Sequence, residues 1–173
     1  TSSACTSGSQ GLGYAYEAAD ASFELLARRA LGQVPEYFAV EGYRVLVERR
    51  FNARGEQVTL SKADVKLFIN GDTEPLWTVA EGNGPVNALD QALRKDIGKY
   101  QEEIAALELV DYKVRILNGG TGAVTRVLIE SLDRATGRRW STVGVSPNIV
   151  EASFEALDDS ITYKLLKNGH AGA

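Results

Sequence analysis

One run of this chain occurs twice at a fixed distance, and that recurrence limits the fold more than any single residue does. Trp77-Thr78-Val79-Ala80-Glu81-Gly82-Asn83-Gly84-Pro85-Val86-Asn87-Ala88-Leu89 reads as a strand, a glycine turn and a helix start. Displacing the chain by 64 residues without a gap lays Thr142-Val143 on Thr78-Val79, Val150 on Val86, Ala152 on Ala88 and Ala156-Leu157 on Ala92-Leu93. A repeat of that size means two copies of one supersecondary unit, each with an apolar face to bury. In each copy a proline, Pro85 or Pro147, stands where a first helical residue belongs, with Gly84 or Ser146 before it as the expected N-cap.

Gly82 and Gly84 flank Asn83, a pattern that points to positive φ or to close approach by a group that a side chain would block. The helix behind them leaves its first amide N–H groups free, so the turn can hold a carboxylate or a phosphate. The same pattern also serves as a plain connection between strand and helix, and the residues alone leave both readings open. A nucleotide loop is disfavoured, because neither Gly-Lys-Ser/Thr nor Gly-x-Gly-x-x-Gly occurs here.

Composition removes much chemistry. At 173 residues the chain is one domain, or one domain with an appendage, and can bury a core. The net charge is −4 with Lys and Arg scattered, so no nucleic-acid partner is expected. No apolar run nears the roughly 18 residues of a membrane span, and no leader is read. The lone cysteine, Cys5, lies in a Ser/Thr/Gly-rich opening, which fits a reducing compartment such as the cytoplasm. The lone histidine, His170, lies close to the end. A zinc site, a Cys/His pair or a Ser/His/Asp triad needs such residues inside the folded body, so no catalytic residue and no metal site is expected. The carboxylates Asp111, Glu130, Asp158 and Asp159 keep a small free-standing enzyme as an alternative, although no motif sets them in a cleft.

Along the chain, residues 1–12 are expected to be disordered or a cloning remnant, and 13–35 to form a connector helix and linker. The helix runs from Tyr16 to Leu31, with Phe23, Leu26, Ala27 and Ala30 on its apolar face and Gly32 ending it. Residues 36–101 make the first repeat. Strands around Tyr43–Glu48, Val58–Ile69 and Leu76–Ala80 turn at Asn52–Gly55 and Asn70–Asp72, and a helix over 85–99 buries Val86, Leu89, Leu93 and Ile97. Residues 102–168 repeat the order, with strands at Leu107–Leu117, Ala123–Leu132 and Trp140–Val145, turns at Asn118–Gly122 and Ala135–Gly137, and a helix over Asn148–Leu166. That helix carries the stripe Ile149, Ala152, Ala156, Leu157, Ile161 and Leu165. Residues 169–173 form a tail. The fold class is α+β: two β-β-β-α repeats related by pseudo-twofold symmetry, preceded by the connector helix. Sheets covered by helices on one face only are expected to hide the other in a homodimer.

Gly82-Asn83-Gly84-Pro85-Val86-Asn87-Ala88, Val110-Asp111-Tyr112-Lys113-Val114 and Gly144-Val145-Ser146-Pro147-Asn148-Ile149-Val150-Glu151-Ala152-Ser153 resemble the C-terminal regulatory domain of the 2-isopropylmalate synthase and citramalate synthase family, from about Tyr37 to Leu166. The runs Glu17–Leu26, Tyr37-Phe38 and Tyr43–Glu48 resemble the citramalate-type members. The resemblance implies an allosteric, dimerising domain that senses isoleucine, with leucine sensing as the alternative. A catalytic TIM barrel using a divalent metal and acetyl-CoA belongs to the family and is not in this chain. A dimerisation module without a ligand is the reading from another class.

In that family the effector lies where two regulatory domains meet. Carried over by residue, Gly82, Gly84, Val86 and Asn87 form one wall, Leu109, Tyr112 and Ile116 another, and Ala123 and Thr125 stand across the hairpin. A zwitterionic branched amino acid needs N–H donors for its carboxylate, acceptors for its ammonium and an apolar slot. The helix start supplies donors, carbonyls or Asn87 supply acceptors, and Val86, Leu109 and Ile116 shape the slot.

Overall fold

The computed structural model of the chain describes residues 19–117 and 123–170. In order it holds α1 (Asp20–Ala30), β1 (Phe38–Phe51), β2 (Gln57–Ile69), β3 (Leu76–Gly82), α2 (Pro85–Lys95), a 3-10 turn (Gly98–Tyr100), α3 (Gln101–Ala105), β4 (Leu107–Ile116), β5 (Thr125–Asp133), β6 (Arg139–Ser146) and α4 (Ile149–Lys167). These make two compact units. One is Pro35–Ala106 with the chain from Leu165; the other is Leu107–Lys164 with the segment ahead of Pro35. The expectations for residues 1–12 and for the turn at 118–122 lie outside the described residues.

The first unit is the antiparallel sheet β1-β2-β3 with α2 on one face. Strand alternation sets that face: Ala63, Val65, Leu67 and Ile69 are buried, while Lys62, Asp64 and Lys66 between them point the other way. From α2, Ala88, Leu89, Ala92 and Leu93 fill the core. The helix ends at Lys95 and does not reach residue 99 as the periodicity suggests. Gly98 takes a φ of +58°, and the Gln101 side chain bridges the break by accepting from Ile97 N (3.0 Å) and donating to Arg94 O (3.2 Å). Ile97 stays buried beyond the helix, and the short α3 follows it. His170 belongs to this body: its ring meets Tyr100 edge-on at 5.4 Å, and its carbonyl accepts from the Tyr37 hydroxyl.

The second unit is the sheet β4-β5-β6, and its register repeats the first. Residues 63, 65 and 67 face 80, 78 and 76 in one sheet, and 127, 129 and 131 face 144, 142 and 140 in the other, each displaced by 64. On the first strands the displacement is 69 instead, because Tyr43 faces Val65 whereas Tyr112 faces Ile129. The ungapped repeat therefore begins only at the second strand. Both first strands bulge at the same place, at Glu41 and at Val110.

Three local expectations are corrected. The last helix starts at Ile149 with Asn148 as its cap, and Ser146 and Pro147 precede it; Asn148 Oδ1 accepts from Val150 N at 2.9 Å. Ile149 is 43% exposed and leaves the buried stripe. On α1 the buried residues are Ala21 and Leu25, while Phe23 and Leu26 are exposed. Its polar first turn decides that orientation, since Asp20 and Ser22 accept hydrogen bonds from the edge of β6. Gly32, at φ +65°, ends α1 with its amide on Arg29 O and the next amide on Arg28 O.

The outer sheet faces carry ion pairs and exposed apolar residues together, Leu46, Trp77, Val79 and Val145 among the latter. Arg44 pairs with Asp64, Lys66 with Glu41 and Arg139 with Glu130.

Candidate functional site

The two helix starts have one backbone plan and opposite chemistry. At the first, Gly84 is the N-cap in extended conformation (φ −166°, ψ 167°), Pro85 is the first helical residue, no side chain caps the turn and no acid lies in it. A Cβ on Gly84 would meet nothing within 4 Å, so its surroundings are open. At the second, Asn148 caps Val150, and Ser146 Oγ accepts from Asn148 N (3.0 Å) and donates to Glu151. The first start therefore presents amide donors and positive dipole to solvent, where an anion is stabilised. The second has filled the same place with its own oxygens.

Gly82 and Gly84 differ from the sequence reading and from each other. Neither has positive φ. A Cβ on Gly82 would stand 2.5 Å from Ala88 N, so the close approach there is by the chain's own helix. Gly84 is neither crowded nor strained, and its lack of a side chain leaves the helix start clear. Val86 is half-buried in the first turn. Asn87 is exposed, and its Oδ1 already accepts from Asn83 N (3.2 Å) and Gln91 Nε2 (2.9 Å), so acceptors for an ammonium fall to carbonyls instead. These four residues come together in one turn.

The remaining expected residues lie in the second unit. Leu109, Tyr112, Ile116 and Thr125 share the helix-covered side of its sheet, because they face Ser131, Ile129 and one another along β5. Leu109, Ala123 and Thr125 are half-buried, whereas Ile116 is 69% exposed. The Tyr112 hydroxyl meets Ser153 Oγ at 2.9 Å and Ser153 donates to Ile149 O, so the tyrosine gives its proton to Ser153 and keeps its oxygen lone pairs and its ring for a ligand. Val114, Leu117 and Ile149 are exposed as well and extend the apolar surface around Ile116.

Sequence reasoning missed the groups that seal the second unit. Asp20 Oδ1, Ser22 Oγ and Glu155 Oε2 accept from the amides of Ser141, Val143 and Val145, each at 3.0 Å. Gly144 seats α4, since a Cβ there would lie 1.8 Å from Ala152 O. The cap had a signal, Asn148 followed three residues later by Glu151. The edge contacts had none, being long-range.

The carboxylates raised as an enzymatic alternative are mostly paired. Asp111 meets Lys113, Glu130 meets Arg139, and Asp159 meets Ser22 and Arg29. Asp158 is pushed up to about 6, by burial first and by the neighbouring Asp159 carboxylate. Among the described residues no cluster of His, Cys, Asp and Glu could hold a metal ion, and no helix is long and apolar enough to cross a membrane.

Known proteins match this chain in sequence. Residues 17–165 match the family model described as the LeuA allosteric (dimerisation) domain. An (R)-citramalate synthase of Aquifex aeolicus is 49% identical over 162 residues, 92% of this chain and 29% of its own. One of Geobacter sulfurreducens is 51% identical over 158 residues, 90% of this chain and 29% of its own. A 2-isopropylmalate synthase of Pseudoalteromonas atlantica is 31% identical over 119 residues, 69% of this chain and 21% of its own. The chain thus spans about 29% of the length of these two citramalate synthases, and corresponds to their regulatory part and not to their catalytic part. With a matching model over 17–165 and this identity to citramalate synthases, the chain belongs to the LeuA allosteric (dimerisation) domain family.

Proposed function

We propose that residues 36–168 act as a cytoplasmic feedback sensor for isoleucine in a homodimeric citramalate synthase, with 13–35 connecting them to the catalytic part. The observation that carries this reading is the uncapped, open start of α2 beside Gly84, set against the capped start of α4. A ligand carboxylate there takes the amide donors that no side chain of α2 takes. Gly82, Gly84, Val86 and Asn87 form the carboxylate end of the site. Leu109, Tyr112, Ile116, Ala123 and Thr125 contribute the apolar wall, and the greater identity to citramalate synthases than to the isopropylmalate synthase favours isoleucine over leucine.

Calorimetry with both amino acids tests this. Isoleucine is expected to bind more tightly than leucine by roughly 10- to 200-fold, the worth of one displaced methyl. Gly84→Val is expected to abolish binding of both while leaving the fold, since the substituted position is open. Tyr112→Ala is expected to weaken isoleucine by removing wall area. Equal isoleucine affinity in all three proteins places the site elsewhere, tighter leucine moves the chain to the isopropylmalate branch, and no heat with either favours a ligand-free dimerisation module.

A further inference from the structure

We infer that β3 is the seam between two copies of this chain, its edge pairing with the partner's β3 to join two three-stranded sheets into one. The inference rests on the homodimer reading above and adds the surface.

Two three-stranded sheets have four edges, and three are unsuited to pairing. β1 and β4 each carry a bulge, at Glu41 and Val110, which interrupts a regular ladder. β6 is sealed, because Asp20, Ser22 and Glu155 already take its outward amides at Ser141, Val143 and Val145. β3 runs from Leu76 to Gly82 with no break in register. The 64-residue displacement sets Trp77, Val79 and Glu81 at the places of those three residues, so their amides and carbonyls also point outward. Lys95 reaches this edge, with Nζ 2.7 Å from Val79 O. A solvated lysine across an edge is a removable guard.

The strand is complementary to itself. A twofold axis through Val79 sets Val79 beside the partner's Val79 and Trp77 opposite the partner's Glu81, and three facing pairs exchange about six backbone hydrogen bonds. Trp77 is 66% exposed, and the Lys66 ammonium lies 5.4 Å from its ring centre, so the partner's Glu81 arrives beside a cation. Toward α2 a groove of about 400 Å³, lined by Ala80, Gln91 and Lys95 among others, leaves room for the small side chains of the partner's Thr78 and the partner's Ala80. The same axis sets α2 antiparallel to its copy, and pairing at Val79 displaces each Lys95 from Val79 O.

Sedimentation of the parent chain and three variants tests this. Val79→Pro removes an outward donor that the sheet itself does not use, a place where an edge strand accepts proline. It is expected to keep the parent's circular dichroism and to raise the dimer dissociation constant at least roughly 30-fold by losing the two central donors. Trp77→Glu is expected to dissociate the dimer by facing the partner's Glu81, and Trp77→Glu with Glu81→Lys to restore it. A parent that is monomeric at tens of micromolar overturns both the homodimer reading and this seam. A dimeric parent with unchanged, folded Val79→Pro and Trp77→Glu dimers overturns the seam alone. If Val79→Pro fails to fold, loss in Trp77→Glu with recovery in the double variant sustains the seam, and its absence overturns it.

Discussion

The two repeats superpose in register and differ in what fills equivalent places. Where the first sheet has Leu67 and Leu76 facing each other, the second has Ser131 and Trp140, both bonded to Ser160 on α4. Where the first has Ile69, the second has Asp133, bonded to the buried Lys164 ammonium and to Thr136. Among the described residues the first helix start is bare and the second capped, and the β3 edge carries the Lys95 ammonium where Asp20, Ser22 and Glu155 seal β6. One backbone plan thus serves two purposes. The second repeat satisfies its polar groups internally, and the first leaves donors available to a ligand.

The largest effect should come from Gly144→Val. Its Cβ would lie 1.8 Å from Ala152 O, and neither backbone can yield cheaply. We expect a loss of about 4 kcal/mol or more, a fall of roughly 10 °C in the melting midpoint. Gly84→Val, in open space, should leave the midpoint nearly unchanged. Similar losses at the two glycines would erase the distinction between a packed and an open glycine.

Next is the buried ion pair that stands where the first repeat has Ile69. Burial works against the Asp133 carboxylate, but the Lys164 and Thr136 bonds outweigh it and hold the group below its ordinary value. Lys164→Ala should cost about 3 kcal/mol by denaturant unfolding, because a buried charge loses its partner, and Lys164→Met with Asp133→Leu should recover most of it. The pair's contribution is present above the ordinary carboxylate value and is lost as pH falls through the lower folded one.

Asp158 should behave in the opposite sense. Its folded value of about 6 lies above the ordinary 3.8, so it penalises the folded state above pH 6 and stops doing so as pH falls toward 3.8. Asp158→Asn should therefore stabilise by about 3 kcal/mol at pH 8 and by nothing near pH 4. The corresponding residue of the first repeat is Arg94, which is bonded to Asp90. A gain that does not vary with pH would refute the titration account.

The smallest effect concerns the caps. Asn148→Ala should cost about 1 kcal/mol, whereas Gly84→Ser, supplying the cap that α2 lacks, should gain only a few tenths. Gly84→Ser should nonetheless weaken isoleucine, because the new hydroxyl competes for the same amides. Thermal shift with and without isoleucine reads both.

Much of the fold was legible because strand alternation and the 64-residue echo are local signals. Ala63, Val65, Leu67 and Ile69, and Val127 with Ile129, alternate with more exposed neighbours along their strands, and all six are buried. The break after Lys95 was not legible, since it depends on Gln101 reaching back to Arg94 and Ile97. Nor was the face of α1: its periodicity favoured Phe23 and Leu26, but Asp20 and Ser22 are held by backbone amides more than a hundred residues away in sequence. At the candidate site the glycine turn was recognised, while the reason for Gly82 was its own helix and not a ligand.

The most direct measurement is an amide-resolved NMR titration of the chain with isoleucine. The account predicts saturable shifts at Gly84, Val86 and Asn87, the open helix start, and none at Asn148, Val150 and Glu151, the capped one. Shifts at both starts, at the second alone, or at neither would contradict it.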